Sequence, residues 1–77
     1  MTIREMTKKI AEVEKQHDVF VYFKYDCYTE CYVFTMDKGK RGITRRVPSM
    51  EIVTWNIDIL ESYLNEMAHD LEIGVLS

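Results

Sequence analysis

The chain has 77 residues, of which 47% are hydrophobic and 12% aromatic, so residues 1–77 are expected to form one domain with one core. A net charge of -3 argues against a basic protein that coats nucleic acid. The sequence has no apolar run of about 20 residues. Its charged start, MTIREMTKKIAEVEKQ, is unlike a signal peptide, so we expect a cytoplasmic protein outside the membrane.

The N-terminal segment has the periodicity of an amphipathic helix ending near His17. Thr2 is predicted to be the N-cap, and Glu5 its partner in a capping box. The apolar stripe of this helix consists of Ile3, Met6, Ile10 and Val13.

After Asp18 the sequence changes to aromatic and β-branched runs that are typical of strands. VFVYFKYD and CYVFTMD predict two strands joined at CYTE. The turn DKGKRG then leads to ITRRV, a predicted edge strand that ends at Pro48. Both faces of the first strand are largely apolar, and helices can cover only one of them. Phe20 and Tyr22 are therefore expected on an open sheet face.

The last third of the chain predicts a single long helix with Ser49 as its N-cap and Gly74 at its end. Its core stripe consists of Val53, Ile57, Leu60, Leu64, Met67 and Leu71. A second apolar row on one flank consists of Ile52, Trp55, Ile59 and Tyr63. This row either packs against the first helix or the C-terminal tail, or it forms a partner or self-association surface around Trp55 and Tyr63.

The order helix, three antiparallel strands, helix predicts an α+β fold (αβββα), with both helices parallel and on one face of the sheet. Double-stranded RNA-binding domains have a similar order, but they place lysines where PSMEIVTW carries a glutamate. We therefore do not expect that function. The opposite side of the second helix carries an acidic stripe, which is either a solvated face or an imitation of a nucleic-acid backbone. Its members are Glu51, Asp58, Glu61, Asn65 and Glu72.

The segment YDCYTECY contains both cysteines. Across a hairpin with the three-residue loop YTE, Cys27 and Cys31 would face each other. They are interpreted as two free thiols, as a disulfide, or as a zinc site that Asp26 or Glu30 would complete. Such a site would lie within one chain or be shared between the subunits of a homodimer. The sequence contains no catalytic motif with specific spacing, so an enzyme is not expected.

In its length and its order of helix, three strands and helix, the chain resembles small phage-encoded anti-CRISPR proteins of the type II-A inhibitor class. The resemblance implies a non-enzymatic protein from a phage or mobile element that binds an RNA-guided nuclease and blocks it sterically. No residue is carried over from that class. From the faces described above, the candidate partner-binding residues are Trp55, Tyr63, Ile59, Tyr22, Tyr28, Asp58 and Glu61.

The alternative function is a small nucleic-acid-binding regulator. Tyr22 would stack on bases from the open sheet face, and Arg41, Arg45 and Arg46 would contact phosphates. The negative net charge makes a protein the favoured partner.

Overall fold

The structure is a computed structural model that describes residues 1–73, so the predicted helix end at Gly74 lies outside the described residues. It confirms the predicted α+β, αβββα order, except that the second helix is divided in two. The elements in chain order are α1 (Ile3–His17), β1 (Phe20–Asp26), β2 (Cys31–Lys38), β3 (Arg41–Pro48), α2 (Ser49–Ile52) and α3 (Ile57–Ile73). Within residues 1–73, no helix combines the length and the hydropathy that crossing a membrane requires.

α1 begins at the predicted capping box. The Glu5 backbone N–H donates to the Thr2 hydroxyl at 3.1 Å, and the Thr2 N–H donates to the Glu5 carboxylate at 2.8 Å. The helix ends at Asp18, whose backbone is left-handed with a φ of 55° and whose N–H donates to the Glu14 carbonyl. The left-handed residue turns the chain directly into β1, where the Val21 N–H donates to the Glu14 carboxylate at 3.0 Å.

The three strands form an antiparallel sheet in the order β1-β2-β3, with Phe23 opposite Phe34 and Phe34 opposite Arg45. α1 packs against β1 and α3, and α3 also packs against β2 and β3. The face beneath the helices carries the buried side chains of Val21, Phe34, Met36 and Val47. These residues alternate along each strand with side chains on the open face, which no helix covers in the described chain.

The two long helices run in the same direction, as predicted. Lys9 Nζ lies 3.1 Å from a Glu61 carboxylate oxygen, and eight residues further along α1, His17 Nε2 lies 2.9 Å from Asn65 Oδ1. Most of the predicted core stripe of the second helix is also confirmed, because Leu60, Leu64, Met67 and Leu71 are buried.

The prediction of one uninterrupted second helix is wrong between Val53 and Asn56. Ser49 is not the N-cap that was predicted, because the N-cap of α2 is Pro48 and Ser49 is its first helical residue. The Asn56 side chain accepts a hydrogen bond from the Ile59 N–H at 2.9 Å, so Asn56 caps a new helix. Asparagine favours caps over helix interiors, and Val53 and Thr54 are weak helix formers, which explains the break. Val53 consequently lies outside both helices and is 77% exposed, although it was predicted in the core.

Candidate protein-binding groove

An apolar groove lies at the end of the domain where α1 and α3 begin. Its volume is about 140 Å³, and it is lined by Met1, Ile3, Met6, Tyr32, Ile52, Val53 and Trp55. One wall of the groove is the end of the four-residue α2, whose buried residue is Ile52. We call this feature the apolar groove.

Most of the large exposed apolar side chains lie at this end of the domain, and Met1, Ile3 and Val53 line the groove itself. They come from the start of α1, the hairpin between β1 and β2, the segment 50–53 and the first turn of α3. They are Met1, Ile3, Tyr25, Tyr28, Met50, Val53 and Ile59. Large exposed apolar side chains gathered at one end of a domain often mark an interaction site, so this end is the candidate binding surface.

Trp55 is held in place beside the apolar groove by aromatic contacts. Its ring centroid lies 5.0 Å from that of Tyr63, and the Tyr63 ring lies 5.7 Å from the buried Phe34 ring. Burial also raises the pKa of Tyr63 above its usual range. Of the four residues in the second apolar row, Ile52 is buried, Trp55 and Tyr63 are half-buried, and Ile59 is exposed. The row therefore packs partly on the core and leaves Trp55 to line the groove.

The five members of the acidic stripe do not form one solvated row. Asp58 is exposed in the first turn of α3, whereas Glu61 faces α1 and pairs with Lys9. Glu72 pairs with Lys38 at 3.6 Å. Asn65 is also hydrogen-bonded to His17. Much of the stripe therefore attaches α3 to other parts of the domain. This face therefore lacks the regularly spaced free charges that imitation of a nucleic-acid backbone would require.

The hairpin tip differs from the prediction by one residue. Asp26, not Cys27, is opposite Cys31, and the loop has four residues, 27–30. The Asp26 carboxylate accepts the Tyr28 N–H at 3.0 Å, and Glu30 adopts a left-handed φ of 53° to bring the chain back. This turn, which the Asp26 side chain stabilises, places Cys27 in the loop. The prediction that Cys27 and Cys31 face each other is therefore wrong.

Both cysteines have free thiols, and the Cys31 thiol donates to the Thr29 carbonyl at 3.3 Å. In the described part of the chain, no group of three or more His, Cys, Asp and Glu side chains is placed to hold a metal ion. Asp26 is already bonded to Tyr28 and to Arg46, and Glu30 is exposed. A zinc ion at Cys27 and Cys31, or one shared between subunits, stays a prediction of the sequence.

The open sheet face carries two exposed aromatic rings, as predicted. Phe20 is 65% exposed and Tyr22 57% exposed, and Lys24 and Arg46 lie on the same face. A shallow cavity of about 240 Å³ lies between Tyr22, Lys24 and Val33. This face is a second candidate surface.

Two of the three arginines predicted to contact phosphates lie elsewhere. Arg45 is on the helix-covered face of β3, where it is bonded to Asp70 and lies 3.9 Å from a Glu66 carboxylate oxygen. Arg41 donates to the main-chain carbonyls of Leu71 and Glu72 at the end of α3. Because the two faces of a strand alternate, only Arg46 accompanies Tyr22 on the open face.

The sequence pattern predicted Trp55 at this surface but did not predict Met1, Ile3 and Val53 there. The adjacent weak helix formers Val53 and Thr54, followed by an asparagine, were the signal that could have placed Val53 in a loop.

The chain matches no protein-family model, and no curated protein or solved structure shows significant similarity to it.

Proposed function

We propose that this domain is a non-enzymatic protein-binding module that contacts its partner through the apolar groove. The observation that carries the proposal is that most exposed apolar side chains lie at the end of the domain that holds this groove, which is lined mainly by apolar and aromatic residues. Tryptophan is among the residues that contribute most to binding at protein interfaces, and Trp55 lines this groove in a position set by Tyr63. Methionine side chains adapt to different partner shapes, and Met1 and Met6 also line it.

The size of the apolar groove favours a macromolecular partner. Pockets for small molecules have volumes of about 300–1,000 Å³. The groove, at about 140 Å³, instead suits one or two anchoring side chains of a larger partner. The partner would then cover the exposed residues around the groove, such as Tyr28, which is 95% exposed, and Met50.

A peptide library displayed on phage tests this proposal without knowledge of the natural partner. Panning against the wild-type domain is expected to enrich peptides that lose about tenfold or more in affinity for Val53→Asp, because a carboxylate in the groove must be desolvated on binding. Phe20→Asp is the matched control, since Phe20 is exposed on the open sheet face. Peptides that bind both variants like the wild type would refute the groove as the binding site.

Inhibition of an RNA-guided nuclease is the finer form of this proposal. Its support is the length and the αβββα order of the chain, which suit a small steric inhibitor from a phage. A purified type II-A nuclease loaded with guide RNA is expected to bind the wild-type domain and Phe20→Asp, and to cleave target DNA more slowly in their presence. Val53→Asp should relieve the inhibition. A nuclease that is neither bound nor slowed removes this partner and leaves the groove proposal to the peptide experiment.

A second candidate function, binding of single-stranded nucleic acid, is favoured by one observation. Phe20 and Tyr22 expose their rings beside Lys24 and Arg46 on the open sheet face. Stacking on such rings contributes about 1–3 kcal/mol per base. A mobility shift of a labelled oligonucleotide that disappears in Tyr22→Ala and weakens steeply with salt would establish this function. Absence of any shift at low salt would exclude it.

A further inference from the structure

We infer that two copies of this domain associate through the outer edge of β3 and the adjacent flank of α3, so that their sheets join into one antiparallel sheet. The partner at this surface is therefore a second copy of the chain. This association goes beyond the proposed function, because no residue that lines the apolar groove belongs to β3 or α3.

The outer edge of β3 presents the main-chain groups of Gly42, Thr44 and Arg46. Successive residues of an antiparallel strand direct their N–H and C=O groups alternately to its two sides. The Val21 N–H donates to Glu14 of α1, so the odd-numbered residues of β1 point away from β2. Both strand pairs have a continuous one-to-one register, which carries this alternation across the sheet. The even-numbered residues of β3 therefore point away from β2.

Two neighbouring residues agree with this assignment. The Ser49 N–H, next in the odd-numbered series after β3, donates to the Glu30 carbonyl beside β2 at 2.9 Å. Pro48, which has no N–H, falls in an outward position, where an edge strand tolerates proline. Within residues 1–73, no hydrogen bond engages the outward main-chain groups of β3. The edge is therefore an open row of donors and acceptors.

The arginines of β3 leave its edge accessible, although charged side chains commonly protect edge strands from pairing. Arg45 is bonded to Asp70 on the helix-covered face, and Arg46 is bonded to Asp26 on the open face. Arg41 donates to main-chain carbonyls at the end of α3. Because each of these cations has a partner within the same copy, little uncompensated positive charge opposes a second β3.

A two-fold axis at Thr44 gives the register that suits β3. Thr44 then lies opposite Thr44 of the second copy, and Gly42 lies opposite Arg46, so that each outward N–H meets an outward carbonyl. A register centred on Arg45 would instead place two arginines directly opposite each other, which is unfavourable. In the Thr44 register the helices of both copies lie on the same side of the joined sheet.

The flank of α3 that faces away from α1 carries a partly exposed stripe. At helical spacing, it consists of Ile59, Tyr63, Glu66, Asp70 and Ile73. Contacts of Glu66 and Asp70 with Arg45 place this stripe on the β3 side of the helix. The opposite flank contacts α1 through Glu61 and Asn65. A neighbouring helix beyond β3 would therefore meet the stripe.

The exposed isoleucines of this stripe favour a second copy over an unrelated strand. Ile59 is 43% exposed and Ile73 is 59% exposed. A peptide strand added to β3 would satisfy the main-chain groups but leave both isoleucines in water. A second copy brings its own α3 alongside, so it pairs with the edge and covers apolar side chains at the same time.

Glu66 is the charge that opposes this association. Its side chain is 69% exposed, and its carboxylate lies 3.9 Å from the Arg45 guanidinium, beside the proposed two-fold axis. Asp70 is bonded to Arg45, so the Glu66 carboxylates of the two copies contribute most of the repulsion. Glu66→Gln is therefore expected to tighten the dimer several-fold.

Sedimentation equilibrium of the full chain measures the association. The wild type is expected to form dimers that dissociate on dilution. Thr44→Pro removes one outward N–H and no main-chain hydrogen bond to β2, so it should weaken the dimer about tenfold or more. Thr44→Val keeps that N–H and is the matched control, with an affinity close to wild type. Circular dichroism verifies the fold of each variant.

Variants of α3 test the second part of the interface and stay decisive if Thr44→Pro does not fold. Ile59→Glu combined with Ile73→Glu should weaken the dimer about tenfold or more, because carboxylates in the contact must be desolvated. The matched control, Ser62→Glu combined with His69→Glu, adds the same charges on the exposed side of α3 and should change the affinity little.

Amide hydrogen exchange locates the contact within the sheet. Raising the wild-type concentration should slow the exchange of the Thr44 and Arg46 amides. The Tyr25 amide, which points outward from the other edge of the sheet, is the internal control and should not change.

A wild type that stays monomeric at millimolar concentration overturns the proposed dimer. Protection of the Thr44 and Arg46 amides that does not depend on concentration also overturns it, because it assigns the edge to another segment of the same chain. A dimer that folded Thr44→Pro or the isoleucine double variant retains has the same meaning. Dissociation by Val53→Asp would place the contact in the apolar groove instead of at β3.

Discussion

The guanidinium of Arg45 in β3 donates a hydrogen bond to the carboxylate of Asp70 in α3. Arg46, the next residue, points to the opposite face of the sheet and is bonded to Asp26 and Thr29 of the hairpin. Two adjacent arginines thus have different partners, because successive side chains of a strand alternate between its faces. The first attaches the sheet to a helix, and the second stabilises a turn.

Loss of Arg45 is expected to destabilise the domain more than loss of Arg46. Arg45→Ala leaves the half-buried Asp70 carboxylate without its partner, which should lower the free energy of unfolding by about 2 kcal/mol. Arg46→Ala removes an exposed ion pair that contributes about 0–1 kcal/mol. Urea denaturation of both variants measures the difference. Equal losses would show that the contact between Arg45 and α3 contributes nothing beyond surface charge.

The cap at Asn56 is expected to determine the stability of α3. Asn56→Ala removes the acceptor of the Ile59 N–H and should cost about 1 kcal/mol in the free energy of unfolding. Asn56→Asp keeps an acceptor and should retain most of the stability. Ser62→Ala, at an exposed site within α3, is the control and should change thermal stability little. If Asn56→Ala behaves like Ser62→Ala, the helix does not depend on this cap.

The hairpin turn predicts a dependence of stability on acidic pH. The pKa of Asp26 is held below its usual range, first by the hydrogen bond from the Tyr28 amide and then by contacts with Thr29 and Arg46. Because the native pKa is lowered, the carboxylate stabilises the fold above its unfolded pKa of about 3.9. That stabilisation is lost as the pH falls through the native pKa.

An NMR titration of the Asp26 carboxyl carbon measures this effect. The midpoint should lie below that of an unfolded aspartate, and Arg46→Ala should raise it only in part, because the Tyr28 amide is the larger cause. Asp26→Asn should remove this component of the acid dependence. A midpoint that returns fully to the ordinary value in Arg46→Ala would assign the effect to the ion pair alone.

The two thiols are expected to react at different rates. Cys27 is exposed in the hairpin loop, whereas Cys31 is half-buried at the start of β2 and donates to Thr29. Iodoacetamide should therefore modify Cys27 several-fold faster, as followed by mass spectrometry, and Cys27→Ser should remove the fast phase. A rise in both rates on adding chelator is expected only if a zinc ion holds the two thiols. Equal rates without chelator contradict the difference in exposure.

The local features of the fold were predictable from the sequence. The capping box of Thr2 and Glu5 and the buried stripe of α3 follow from spacings of a few residues. The alternation along β1 likewise placed Phe20 and Tyr22 on the open face. The parallel direction of the long helices follows from the count of chain reversals between them, which is a topological rule with few alternatives.

The details that depend on competition between local structures were not predictable in the same way. Asp26 ends the hairpin through its own side chain, which moves Cys27 into the loop. Asn56 restarts the second helix, which exposes Val53 and creates the apolar groove. In both places a short polar side chain binds the backbone nearby, and a difference of about 1 kcal/mol selects one local structure over another.

The hydrogen bond from the Val21 amide to the Glu14 carboxylate has a consequence for how copies of this domain can aggregate. Backbone amides of an edge strand point alternately towards the neighbouring strand and away from the sheet. The outward amide of Val21 already donates to Glu14 of α1. A strand that approaches β1 must first displace the carboxylate, whereas β3 is the other edge of the sheet. Growth of a fibre requires two open edges on each copy. Because the Val21 amide of β1 is engaged, we expect copies to pair through β3 in preference to β1.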